Sequence, residues 1–160
     1  MSLNPKLESL KWLIGKWRGI GKGVYPSIKD FAFVDELNIE FAGQDNLVWT
    51  AESSIDGKPK HKERGFLKIQ PDSKELSLIL SENTGLASIY MGKLSLGEQN
   101  LINLESRNIS RIPWSKPPAV KKVTRTYTLV KENQIKYNMK MATEFNELDD
   151  HLEVIYEKVI

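Results

Sequence analysis

Glycine recurs at every second position in Gly19-Ile20-Gly21-Lys22-Gly23, and this spacing limits the fold more than any other feature of the chain. Side chains alternate across a strand, so three glycines at a period of two strip one face bare. Glycine also weakens a strand through entropy and lost packing. Its repetition therefore marks a sharp bend or a close backbone approach, as at the corner of a barrel. Trp17 stands just before the bare face and reads as a plug for one end of a core. A short helix precedes it. Asn4 caps that helix, Pro5 fits its first position, and Leu7, Leu10, Trp12, Leu13 and Ile14 form an apolar stripe that Gly15 ends.

The rest of the chain reads as strand and turn. Alternating apolar residues place strands at about 17–25, 31–41, 46–55, 60–70, 76–80, 86–93, 100–109, 123–129, 135–141 and 151–159. Asp56-Gly57 is a hairpin turn signal. The three prolines of 112–118 make that segment a loop. The pattern predicts an all-β fold of about ten strands with a short N-terminal helix, an antiparallel up-and-down β-barrel or a sandwich. Closure removes the sheet edges and leaves a cavity once the strand number passes about eight.

With 160 residues and 40% apolar content, the chain suits one domain over 1–160. It has no cysteine, which excludes disulfides and thiolate metal sites and suits a reducing, cytoplasmic setting. The formal charge is only +2 and the basic residues are scattered, so nucleic acid is not an expected partner. No apolar run approaches the roughly 20 residues that span a bilayer, and no secretory leader is visible, so no membrane partner is expected either.

Chemistry-bearing residues are few. His61 and His151 are the two histidines, and no nucleophile triad, phosphate loop or zinc cluster can be assembled from spacing. If Leu152, Val154 and Tyr156 face the core, parity turns His151 outward, unless a bend or bulge where the strand begins turns it in. Asp149, Asp150, a backbone carbonyl or water could hold its second ring nitrogen. Arg125 sits between Val123 and Tyr127 on an apolar face. It either snorkels to the rim or meets an aromatic ring, with Trp17 the candidate. Met139 and Met141, with Tyr137, are core or a soft pocket wall.

Several stretches together resemble the nitrobindin family, lipocalin-like haem proteins. They are Gly15-Lys16-Trp17-Arg18-Gly19-Ile20-Gly21 with Tyr25-Pro26-Ser27, Pro59-Lys60-His61-Lys62-Glu63-Arg64-Gly65-Phe66, Asn83-Thr84-Gly85-Leu86, Val123-Thr124-Arg125-Thr126-Tyr127, and Met141-Ala142-Thr143 followed by His151-Leu152. Glu144 and Phe145 stand where that family has further threonines, and Lys60 where it is often apolar. The resemblance implies a lipocalin-like barrel holding one haem b per chain. It places the iron ligand and catalytic centre on His151 and cofactor contacts on Ser27, His61, Tyr90 and Met141. It implies binding of nitric oxide and isomerisation of peroxynitrite to nitrate, beside few distal donors. It leaves a homodimer open. Two other functions fit the residues. One is a haem-free carrier of a small apolar ligand, with Met139, Met141 and Tyr90 as its wall. The other is a module that binds a protein through the basic hairpin 58–64.

Overall fold

The computed structural model describes residues 2–160. Ten antiparallel strands close into one barrel: β1 (Gly15–Tyr25), β2 (Ile28–Phe41), β3 (Asn46–Ile55), β4 (Lys58–Ile69), β5 (Glu75–Glu82), β6 (Leu86–Ser95), β7 (Leu101–Arg111), β8 (Val120–Lys131), β9 (Gln134–Thr143) and β10 (Asp149–Lys158). Every strand pairs with its neighbours in sequence, and β1 pairs with β10 to shut the ring. The expected meander and its turns are present. The expected boundaries differ by up to about three residues, because ladder pairing carries strands past their last apolar residue.

A 3-10 helix, Pro5–Leu13, precedes the barrel. The Asn4 side chain accepts a hydrogen bond from the Lys6 amide at 3.0 Å, as a capping residue should. Leu7, Leu10 and Leu13 are fully buried and join the same core as Trp17. The Trp17 indole donates to the Leu13 carbonyl at 2.9 Å, tying helix to barrel. This end of the barrel is therefore plugged.

The glycine face of β1 has two explanations, and only one is a close backbone approach. A Cβ on Gly19 would overlap the Ile155 carbonyl of β10. At Gly21 and Gly23 the obstacle is instead the ring of a cross-strand partner, Phe33 and Phe31 respectively. Those two rings lie over the bare strand, which is how an aromatic side chain compensates for a glycine opposite it. From Trp17 to Val24 the strand advances about 23 Å. The far end of β1 is thus the far end of the barrel, and the cavity lies there.

Candidate functional site

A cavity of about 440 Å³ opens at the unplugged end, within the usual size of a small-molecule or cofactor pocket. Phe31, Phe33, Met139, Met141 and Leu152 form an apolar wall, and Lys60 and Lys116 are exposed at the rim. Trp49, Tyr127, Tyr137 and Tyr156 form an aromatic column, with Tyr127 and Tyr137 stacked at 4.3 Å between ring centres. Tyr137 belongs to both column and cavity lining, so the column is the cavity floor.

His151 lies in the cavity wall because of a bulge. On β9, Lys140 pairs with Asp150 and Met139 pairs with Leu152, leaving His151 as the extra residue of β10. The β1–β2 register also breaks between Gly23 and Tyr25. The Val24 carbonyl then meets the His151 Nδ1 at 3.0 Å. A carbonyl only accepts, so Nδ1 carries the proton and Nε2 keeps its lone pair. Tyr25 and Phe31 meet the imidazole edge-on, at 5.3 and 6.4 Å between ring centres. Burial lowers the pKa of His151, partly offset by the Val24 hydrogen bond. The ring is neutral at pH 7, the form that binds a metal. Asp149 and Asp150 are exposed, and the second ring nitrogen is held by the backbone.

The opposite wall is charged. Arg125, 2% exposed, donates from one terminal nitrogen to both Glu63 oxygens, at 3.0 and 2.8 Å. Its guanidinium lies 4.8 Å over the Tyr90 ring. The aromatic partner expected for Arg125 is thus Tyr90, and the expected Trp17 is a misassignment. Trp17 lies under Lys158 at the other end of β1, out of reach along the barrel axis. Burial alone would push the Glu63 carboxyl up, but Arg125 and His61 hold it below the usual carboxylate range. The Nε2 of His61 stands 3.4 Å from Glu82 and 3.7 Å from Glu63. Burial opposes charge on that imidazole, yet the two carboxylates outweigh it and raise its pKa. Asp35 accepts a hydrogen bond from the Tyr156 hydroxyl, and burial raises its pKa to about 7. The few donors implied by the resemblance are replaced by a wall of ionisable groups.

Of the residues named from the sequence, His61, Tyr90, Met141 and His151 meet in this one cavity. Ser27 does not line it. That residue is in the exposed β1–β2 turn, where its hydroxyl lies 3.5 Å from the Asn146 amide. Glu144 and Phe145 are also exposed, and the Glu144 carboxylate accepts from the Ala119 amide. The basic residues of the hairpin, Lys58, Lys60, Lys62 and Arg64, are exposed as well, while His61 and Glu63 between them turn inward. Asp35, Glu63 and Glu82 were missed from the sequence. Their signal was the one that singled out Arg125: a charge on the apolar parity of a strand, as in Phe33-Val34-Asp35-Glu36-Leu37.

A closed barrel with a neutral imidazole inside an apolar-walled cavity defines a protein with room for a small molecule in its interior and a nitrogen donor facing that room. Residues 6–158 match the family described as "THAP4-like, heme-binding beta-barrel domain", and the chain belongs to that family, the nitrobindins. It is 32% identical to the human protein "Peroxynitrite isomerase THAP4" over 98% of its own length but spans only 27% of that relative. It is 30% identical to an Arabidopsis thaliana protein named peroxynitrite isomerase Rv2717c, with 98% of this chain and 91% of the relative aligned. The crystal structure of Rv2717c from M. tuberculosis superposes with a TM-score of 0.91 at 28% identity, covering 99% of this chain and all of that one. The family haem fits the residues present: a neutral imidazole, an aromatic and methionine wall, and cations at the rim.

Proposed function

We infer that this barrel binds ferric haem b, one per chain, and isomerises peroxynitrite to nitrate, with His151 as the iron ligand. The observation that carries this reading is the His151 ring itself: Nδ1 is engaged by the Val24 carbonyl, so Nε2 is free to ligate. When bound, a ferric haem with one protein ligand supplies a Lewis-acidic iron with an open position, suited to peroxynitrite and to nitric oxide.

The protein's own contributions follow from its residues. Val24 fixes the tautomer of His151, and the edges of Tyr25 and Phe31 fix its plane. The Tyr25 hydroxyl donates to the Met141 carbonyl at 2.9 Å, clamping β1 to β9 across the bulge. Phe31, Phe33, Met139 and Leu152 line the cavity and would exclude water from a haem held there. Lys60 and Lys116 suit the two carboxylates that a haem b carries at its edge. No helix among the described residues is long and apolar enough to cross a membrane. A chain without cysteine fits the reducing cytoplasm.

Hemin titration tests the reading. Wild-type protein is expected to shift the Soret band with a one-to-one end point and to speed conversion of peroxynitrite to nitrate. His151→Ala is expected to lose the shift. An unchanged shift in His151→Ala would remove that residue as the ligand. The apolar wall also favours a second reading, an iron-free carrier of a small apolar molecule. Lipid in native mass spectra, with no hemin uptake, would establish that reading instead.

A further inference from the structure

His61 and His151 face one cavity from opposed walls: their strands, β4 and β10, are four positions apart around a ring of ten. Their surroundings prepare them for opposite tasks. His151 meets a backbone carbonyl and aromatic edges and stays neutral. His61 meets two carboxylates through one nitrogen, Nε2. Its other nitrogen, Nδ1, has no hydrogen-bond partner among the described residues, and 36% of the side chain remains exposed. Behind it, the buried Arg125 spends one terminal nitrogen on Glu63, while its Nε–H has no acceptor among the described residues.

We propose that His61, backed by Arg125, forms an oxyanion subsite in the cavity, where its protonated ring turns the unpartnered Nδ1–H to a small monovalent anion held opposite His151. Glu63 and Glu82 raise the pKa of the ring against its burial, and once the ring is protonated its free Nδ1–H is a charge-assisted donor. Arg125 offsets the charge of Glu63 through its ion pair, and burial raises the pKa of both Glu82 and Asp35. Of the other titratable residues that line the cavity, burial raises the pKa of Tyr90 and Tyr137, and Lys60, Arg111 and Lys116 are basic. The subsite deepens the isomerase reading and rests on it for the identity of the anion. Peroxynitrite and its product nitrate both carry one negative charge on oxygen, whereas nitric oxide carries none. His61 is therefore a positioning residue that favours the anion over the neutral gas.

Two measurements test this and separate its failure from that of the haem reading. In the haem-free protein, ring resonances of His61, assigned with His61→Gln, are followed by NMR as sodium nitrate is added. Saturable movement of His61 is expected, weakening as pH rises and the ring deprotonates. Movement that never saturates, or none, overturns the subsite whether or not hemin binds. In the hemin-loaded protein, azide and nitric oxide affinities are compared. His61→Leu is expected to lower the azide-to-nitric-oxide affinity ratio by about tenfold or more, the worth of one charge-assisted hydrogen bond. His61→Gln, which keeps an N–H donor, is expected to restore part of it. An unchanged ratio in His61→Leu overturns the proposal even with a normal Soret band. Absence of that band in wild type defeats the haem reading and leaves nitrate binding to decide the subsite.

Discussion

The two ends of the barrel are built from the same strands and differ in what those strands turn inward. Along β4 the inner face runs from Ile69 and Leu67 through Gly65 to Glu63 and His61. Along β1 it runs from Trp17 through Gly19 and Gly21 to Gly23, and β5 passes from Leu76 and Leu78 to Glu82. Large apolar side chains fill one end and dock the leucines of the helix. Glycines and charges at the other leave room. Burial of apolar surface drives folding at about 25 cal/mol per Å². The plugged end therefore stabilises the barrel, and the open end gives up stability for a site.

Breaking either end should separate these roles. Trp17→Ala is expected to cost roughly 3–5 kcal/mol, as for a buried large aromatic, while hemin affinity stays near wild type. An unchanged denaturation midpoint would show that the plug is dispensable. Glu63→Gln leaves a buried guanidinium without its counter-ion, also at roughly 3–5 kcal/mol. Unlike the plug variant, it should disturb the cavity, visible as a lowered pKa of His61 by NMR.

Asp35 sharpens the contrast through pH. Its carboxyl holds a proton up to about 7 in the folded chain but releases it near 3.8 when unfolded. The folded state therefore binds more protons in that window, and its stability falls as pH rises from about 4 to about 7. Asp35→Asn should flatten this slope and raise stability at pH 8 by roughly 4 kcal/mol, read from urea midpoints across pH. A steeper slope in the variant would contradict the burial argument. Smaller effects come from the glycine face. Gly21→Ala pushes the Phe33 ring into the cavity. It should cost about 1–3 kcal/mol, with weaker hemin binding. Gly19→Ala meets the Ile155 carbonyl, which cannot swing away, and should cost more. Ser27→Ala, in an exposed turn, should stay within about 0.5 kcal/mol of wild type. A large loss of hemin binding there would bring the turn into the site.

Particular residues show how far local pattern reaches. The parity of Val123, Arg125 and Tyr127 marked the buried arginine, but it could not choose between Trp17 and Tyr90. That choice depends on which strands meet across the barrel, and Glu63 lies 62 positions away in sequence. The orientation of His151 was equally closed to parity, since Leu152, Val154 and Tyr156 point the core face past it. One extra residue in β10 reverses that result.

Alternation of side chains and turn residues sufficed for about ten strands and their meander, because each is a local preference repeated along the chain, while a closed barrel rather than a sandwich needed β1 to pair with β10. The site needed the closed ring. Burial and charge at His61, Asp35 and Arg125 are fixed by partners on strands remote in sequence, and the direction of His151 by a register break in the ladder. Neither is encoded in any one stretch, since both exist only once β1 and β10 have paired.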